Sequence, residues 1–169
     1  EYYKLTRKYL YAQGEGGFSP SITELNAFAN KKDNGSYKLN YNVEGFFGRA
    51  QYNYDDKYFA SASYRRDASS RFAKENRWGN FWSIGGAWLI NKEKWFNAPF
   101  VDELKVKASI GQQGNDNIGN WAYTDLYTVS KASNTLMSPT FYRMGNKDIT
   151  WETTTNLNLG VEFSFLKHR

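Results

Sequence analysis

The chain has 169 residues, with 22 basic and 17 acidic side chains and a net charge of +5. This balance is too mixed and too mild to indicate a nucleic-acid-binding protein. The absence of cysteine excludes disulfide bonds and thiolate chemistry, and no run approaches the ~18 apolar residues that a membrane-spanning helix needs.

Aromatic residues make up 18% of the chain, yet its mean hydropathy is −0.75. Tyrosine and tryptophan combine an apolar body with a polar tip, so they suit surfaces that lie between water and an apolar phase. This composition predicts many such surfaces.

Residues 1–42 show no sustained period and contain several turn signals, such as Gly14-Glu15-Gly16-Gly17 and Asp33-Asn34-Gly35. We therefore interpret this segment as a large loop. Residues 1–4 do not resemble the start of a signal peptide, and we expect the chain to be a piece of a longer polypeptide.

Alternation with a period of two begins at Val43. Strands are predicted near 43–54 and 58–66, and the short polar segment Asp55-Asp56-Lys57 between them predicts an antiparallel hairpin. Further strands are predicted near 79–91, 104–113 and 149–165. In the last of these the odd positions are mostly apolar and the even positions polar, over a length well beyond the ~5–6 residues of most soluble strands.

The connections sort by length. One end of the predicted sheet has mostly short connections: the 55–57 turn, the 91–103 connector and the chain end at 166–169. The other end has the longer segments 1–42, 68–78 and 114–148. Short periplasmic turns and long external loops are typical of outer-membrane barrels. Five strands cannot close such a barrel, so the pattern predicts an all-β chain that forms part of a large transmembrane antiparallel β-barrel.

Four blocks in this order resemble the barrel of SusC/RagA-type TonB-dependent outer-membrane transporters. They are Phe47–Tyr52, the Ser63–Phe72 and Asn76–Ser83 pair, Ser109–Gly119 and Ile149–Gly160. Ala68 stands where the family pattern has glycine, and residues 1–42 match no block.

The resemblance implies a 22-stranded barrel that carries a plug, in the outer membrane of a Gram-negative bacterium of the Bacteroidota. It implies import of oligosaccharides or peptides, a SusD-like surface lipoprotein as lid, and energy from TonB. We expect the plug, the TonB-contacting segment and the remaining wall to lie outside this chain, and we expect the wall to contact outer-membrane lipid.

Candidate contacts to substrate or lid are the charged residues near the barrel mouth and the aromatic residues of the long loop. They are Arg66, Arg71, Trp121, Tyr123, Tyr127, Phe141 and Tyr142. The alternatives are that Asp67 pairs with a neighbouring arginine to fix the loop, and that the aromatic residues pack against one another.

Aromatic residues near the predicted strand ends are expected to form the interfacial girdles of the wall rather than a binding stripe. They are Trp82, Trp88, Trp151, Phe163 and Phe165. Four charged residues are expected on the opposite face, towards the lumen, where they either steer a charged substrate or, as is more common, keep the interior wet and pair across strands. They are Lys105, Lys107, Glu152 and Glu162.

No metal, phosphate-loop or dinucleotide-binding pattern occurs, and the single histidine, His168, has no partners for a catalytic triad. We therefore expect no enzyme activity and no cofactor. Two other readings stay open: a soluble carbohydrate-binding β-sandwich, and a structural outer-membrane barrel without transport. Neither the substrate nor the oligomeric state can be read from the sequence.

Overall fold

The computed structural model describes residues 1–133 and 136–165. Within them are three 3-10 helices, Leu25–Ala27, Lys74–Asn76 and Ile90–Lys92. No described helix is long and apolar enough to cross a membrane. The same residues form eight strands: β1 (Tyr2–Gly17), β2 (Phe28–Tyr54), β3 (Tyr58–Ser69), β4 (Trp78–Leu89), β5 (Val101–Asn115), β6 (Leu126–Lys131), β7 (Met137–Arg143) and β8 (Glu152–Phe165).

The all-β prediction is confirmed, and the five predicted strands correspond to the part of β2 from Val43 and to β3, β4, β5 and β8. The structure extends β3 to Ser69 and starts β4 at Trp78, so their connection is shorter than the predicted 68–78 loop. The predicted chain end at 166–169, with His168, lies outside the described residues.

The first of two compact units, Tyr3–Asn42, contradicts the loop expected for residues 1–42. It is a hairpin of β1 and the first part of β2. Tyrosine side chains hold the two strands together: the rings of Tyr9 and Tyr37 stack at 5.1 Å between centroids, and those of Tyr3 and Tyr41 meet edge-on at 6.1 Å. The prediction was wrong because cross-strand contacts between residues about 30 positions apart leave no local period.

The second unit comprises Glu1–Tyr2 and the chain from Val43 onward. Its strands are antiparallel neighbours in the order β2, β3, β4, β5, β8. The turn between β2 and β3 is tight because Asp55 and Asp56 both adopt positive φ, which matches the twist of a hairpin. β5 pairs directly with β8, so the intervening segment is excluded from this sheet.

The register lines up the apolar residues of all five strands on one face, called here the apolar face. Successive rows across the sheet read Ala50, Ala62, Ile84, Ile110, Leu157; then Tyr52, Ala60, Gly86, Ala108, Leu159; then Tyr54, Tyr58, Trp88, Val106, Val161. These rows carry no charge. Leu157, Leu159 and Val161 are 66%, 77% and 66% exposed, so nothing among the described residues covers this part of the face.

The alternate rows form the polar face. One row reads Gln51, Ser61, Gly85, Ser109, Asn158, and the next reads Arg49, Ser63, Ser83, Gly111, Asn156. The predicted inward direction of Lys105 and Lys107 fits this arrangement, since both contact Glu162 on the neighbouring strand.

The buried core lies at one end of the sheet, beyond the last residue pair of β4 and β5, which is Ser83 with Gly111. Past this pair β4 continues along β3 only, and β5 continues along β8 only. An aromatic cluster of Phe72, Phe81 and Trp151 packs there, with ring centroids 5.4 and 5.2 Å from Trp151. Phe72 is fully buried and Phe81 is 6% exposed, so side chains replace backbone pairing at this point.

The segment predicted as the 114–148 loop contains structure of its own. β5 runs to Asn115, and β6 and β7 form a separate two-stranded antiparallel sheet. The predicted loop therefore contains a β-hairpin, and irregular segments connect this hairpin to β5 and to β8.

Candidate functional site

The connection between β3 and β4, residues 70–77, is fixed by a polar clasp of Ser69, Arg71 and Asp116. Ser69 Oγ donates to Asp116 Oδ2 at 2.6 Å. Arg71 Nη1 donates to the Asp116 backbone oxygen at 3.0 Å and lies 3.3 Å from Asp116 Oδ1. Both carboxylate oxygens of Asp116 are thus engaged, and the Arg71 and Asp116 side chains are only 21% and 16% exposed.

The same connection also holds the far end of the long segment. Asn76 Nδ2 donates to the backbone oxygen of Lys147 at 2.8 Å, and Trp151 Nε1 donates to that of Arg77 at 2.9 Å. Residues 70–77 therefore anchor the segment between β5 and β8 at both its start and its end. Because the Arg71 side chain is bonded to Asp116, it serves to fix this connection. The structure does not support the prediction that Arg71 contacts substrate or lid.

The charge cluster near Arg66 separates into two faces. Arg66 lies over the Trp78 ring, 5.0 Å from its centroid, which is a cation–π contact. Arg65 points to the other face, where its Nε donates to Asp67 Oδ2 at 2.6 Å. The alternative that Asp67 pairs with a neighbouring arginine is confirmed, and the cluster does not form one binding surface.

The aromatic residues predicted to contact substrate or lid come together only in part. Tyr127 on β6 and Phe141 on β7 are register partners whose rings meet edge-on at 5.7 Å. Trp121 is 41% exposed and has positive φ, and Tyr142 is 68% exposed. Tyr123 is half-buried. Mutual packing thus accounts for Tyr127 and Phe141. Among the described residues, no ring contact is found for Trp121, Tyr123 or Tyr142.

Four of the five predicted girdle residues lie towards the ends of the apolar face. At the turn end, Trp88 stacks on Tyr58 at 6.1 Å, and the Phe163 and Phe165 rings lie 5.3 Å apart. Trp82 lies towards the opposite end, in register with Tyr64. Trp151 differs from the prediction, because its half-buried indole belongs to the aromatic cluster described above.

The turn end carries hydrogen bonds that shift the pKa of two carboxyl groups. Lys57 Nζ lies 2.8 Å from Asp55 Oδ2, and this hydrogen bond lowers the pKa of the Asp55 carboxyl and raises that of the Lys57 ammonium. Glu93 Oε1 accepts from Tyr58 Oη at 2.6 Å and from Trp88 Nε1 at 3.1 Å. These bonds, the one from Tyr58 first, lower the pKa of the Glu93 carboxyl.

A concave region of about 570 Å³ lies near the centre of the polar face. Its lining includes Gln51, Ser61, Lys107, Ser109 and Asn158. Amide, hydroxyl and ammonium groups of this kind offer hydrogen bonds to water or to a polar solute. The described residues contain no group of histidine, cysteine, aspartate and glutamate able to hold a metal ion.

Comparison with known proteins agrees with this geometry. Residues 2–168 match the family described as "TonB dependent receptor-like, beta-barrel". The chain is 31% identical to the TonB-dependent receptor SusC of Bacteroides thetaiotaomicron over 94% of its own length and 16% of that protein's. It is 35% identical to TonB-dependent receptor P39 of Formosa agariphila over 75% of its own length and 12% of that protein's.

Solved structures show the same arrangement of strands. The chain superposes on the RagAB peptide importer in its closed-closed state with a TM-score of 0.92 and 27% identity, over 99% of this chain and 19% of the other. The TM-score to the open-open state is 0.88. The chain spans less than a fifth of the length of each of these proteins, and it belongs to the β-barrel family of TonB-dependent receptors, of the SusC/RagA type.

Proposed function

We propose that this chain is part of the wall of a TonB-dependent importer in the outer membrane of a Gram-negative bacterium of the Bacteroidota. The observation that carries the proposal is the uncovered, charge-free apolar face with aromatic residues at its ends and a polar face behind it. A wall between lipid and a water-filled lumen needs this arrangement.

The dimensions support contact with lipid. Phe46, which stacks on Trp78 at 6.2 Å, and Tyr54 lie on the same strand, eight positions apart. At ~3.4 Å per residue this is about 27 Å along the strand. Tilted by about 35–45°, as barrel strands are, that length covers roughly 20 Å across the membrane, which is most of the ~25 Å apolar band of outer-membrane barrels. Trp82, Trp88, Phe163 and Phe165 would then lie towards the two interfaces.

The open sheet edges require further strands. β8 has one neighbour, β5, among the described strands. In lipid, the backbone N–H and C=O groups on the open side of such a strand have no partner, at several kcal/mol per group. The rest of the same barrel would supply the missing pairs, with 22 strands in all and a plug inside. The turn at 55–57 would be periplasmic, and residues 70–77 and 116–151 external.

The importer would take up nutrient oligomers, either oligosaccharides or peptides, with a SusD-like surface lipoprotein as lid and TonB as the source of energy. This rests on the family and on the relatives, one of which is described as a peptide importer. The aromatic residues Trp121, Tyr123, Tyr127, Phe141 and Tyr142 are candidate contacts to substrate or lid on the external segment. The chain itself performs no chemical step.

The test begins with the full-length native protein from the membrane fraction, run on a denaturing gel with and without boiling. A band that shifts on boiling is expected for a closed barrel. A second experiment deletes the gene and measures growth on oligosaccharides or on peptides as the sole nutrient. A soluble species without a shift would refute the barrel, and unchanged growth on both nutrient classes would refute import.

A further inference from the structure

Aromatic rings form a continuous series along the turn end of the second unit, called here the aromatic run. Tyr54 lies 6.3 Å from Tyr58 between ring centroids, and Tyr58 stacks on Trp88 at 6.1 Å. Trp88 meets Trp95 edge-on at 6.3 Å, and Trp95 contacts Phe96 at 6.1 Å. The first three rings are the last row of the apolar face. The run therefore continues the apolar face onto the connector between β4 and β5.

The connector, residues 90–100, is held in place by hydrogen bonds. Asn91 Nδ2 donates to the backbone oxygen of Asp102 at 3.0 Å, and Asn91 Oδ1 accepts from the backbone N–H of Leu104 at 3.2 Å. Glu93 accepts the two bonds, described above, from the tyrosine and the tryptophan of β3 and β4. The connector is thus a fixed element of the sheet end, and it presents a defined set of side chains.

The large apolar side chains of the connector are uncovered. Trp95 and Phe100 are 65% and 61% exposed, and no ring contact of Phe100 is found among the described residues. Large exposed apolar patches mark sites of association. Because Trp95 packs against the last row of the apolar face, which the proposed function assigns to lipid, the occupant that fits this patch is the same membrane.

The charged groups of this end leave two lysines without a carboxylate. Each of the three carboxylates accepts from a protein group: Asp55 from Lys57, Asp56 from Asn53, and Glu93 from Tyr58 and Trp88. Lys92 Nζ donates to the backbone oxygen of Asp56 at 3.0 Å. Lys94 is exposed and acts on Asp55 only from beyond ion-pair distance. An unpaired ammonium group therefore directly precedes Trp95.

A phospholipid leaflet matches both parts of this surface. Tryptophan and tyrosine concentrate where hydrocarbon meets the headgroups, and lysine reaches from that level towards the polar region. Segments that lie in the plane of the interface combine such apolar side chains with lysine. The proposed orientation places this end on the periplasmic side, and the periplasmic leaflet of Gram-negative outer membranes consists of glycerophospholipids.

We propose that residues 90–100 form an interfacial anchor on the periplasmic leaflet, in which Trp95 and Phe100 insert beside the acyl chains and Lys94 binds the phosphate of a glycerophospholipid. This inference rests on the proposed function, because it uses the membrane orientation given there. It adds a partner of defined chemistry and extends membrane contact from the strands to a connector.

The experiment uses the full-length transporter in nanodiscs made of equal parts of phosphatidylglycerol and galactosyl diacylglycerol, a lipid with the same acyl chains and no phosphate. The photo-crosslinking amino acid benzoylphenylalanine replaces Trp95. Leu159 on the apolar face and Tyr142 on the external segment, 77% and 68% exposed, are replaced in the same way as controls. After illumination, mass spectrometry identifies the molecules attached at each position.

Position 95 should give lipid adducts, as position 159 should, and position 142 should give none. At position 95 phosphatidylglycerol adducts should outnumber those of the glycolipid. Lys94→Gln should lower this ratio roughly two- to fivefold, which is the loss expected for one exposed charge contact. Lys147→Gln removes an exposed lysine of the external segment and should leave the ratio unchanged.

The outcomes separate this proposal from the proposed function. Lipid adducts at 159 and none at 95 would overturn the anchor and leave the membrane wall in place, whereas none at either position would refute both. An equal adduct ratio in the wild type and in Lys94→Gln would overturn the phosphate contact. The gel shift on boiling shows that each variant is folded, and the same replacement of Phe100 gives a second position in the anchor.

A second arm uses the Trp95 replacement in intact cells, because a periplasmic protein is the competing occupant of this surface. Phospholipid adducts are expected there as well. Attachment of a protein in place of lipid would show that the surface serves a protein partner and that the proposal is wrong.

Discussion

The aromatic cluster offers the sharpest test of how this wall is held together. Replacing Phe72 with alanine removes a fully buried ring that packs on Trp151, 5.4 Å away between centroids. Phenylalanine-to-alanine substitutions in cores destabilise by about 3–5 kcal/mol. Phe72 lies in a connection that can partly collapse around the cavity, so we take the lower value, about 3 kcal/mol.

The loss should be local. The strands of the second unit stay paired without Phe72, whereas residues 70–77 depend on the clasp and on this ring. Since ~1.4 kcal/mol corresponds to a factor of ten, a loss of about 3 kcal/mol should raise the opening equilibrium of this connection roughly a hundredfold. Amide hydrogen exchange measures such openings segment by segment.

The assay compares exchange in the wild type, Phe72→Ala and a control, Phe18→Ala, whose ring is 90% exposed. In the Phe72 variant, residues 70–77 and 147–151 should exchange faster than in the wild type. In the control, exchange in these residues should equal that of the wild type. Unchanged exchange in 70–77, or an equal increase along all strands of the sheet, would show that the cluster does not close this end of the wall.

Two further predictions concern the faces and the turn end. Leu159→Lys places a charge on the apolar face and should cost about 2–4 kcal/mol near mid-membrane, reducing the folded fraction on a gel-shift assay, while Asn158→Lys on the polar face should leave it unchanged; equal effects would refute the face assignment. Because hydrogen bonds from Tyr58 and Trp88 lower the Glu93 pKa below its ordinary value of 4.5, their stabilisation is complete above pH 4.5 and is lost as pH falls through the lowered pKa. Glu93→Ala should therefore show a smaller loss of thermal stability between pH 7 and pH 3 than the wild type, and an equal loss would contradict this.

Strands in the second unit could be predicted because each one carries its own alternation. The alternation within 149–165 predicts a strand whichever residues it pairs with, so this prediction needed no knowledge of β5. The hairpin of 1–42 was missed for the converse reason. In β1, Arg7 and Leu10 interrupt the alternation, and the contacts that stabilise it come from Tyr37 and Tyr41 on the other strand.

The site residues were harder to predict because their partners are remote in sequence. Arg71 looks like a free cation until Asp116, 45 positions later, is placed beside it. Trp151 continues the odd-numbered apolar pattern of β8, and only the separation of β4 from β5 beyond Ser83 takes it into a buried cluster. The motif around Ser69–Phe72 was a usable signal for this region, but it did not indicate which side chains would meet.

The direct pairing of β5 with β8 has a consequence for engineering. Asn115 and Glu152 are register partners, joined by a hydrogen bond of 3.0 Å between their side chains. Residues 117–150 thus form an insertion between two adjacent strands and could be exchanged as a unit. Asp116 completes the clasp and Trp151 completes the aromatic cluster, so both would be kept. A short hairpin turn grafted in place of residues 117–150 should leave the pairing of β5 with β8 intact, so that this segment could be exchanged between homologues without changing the sheet.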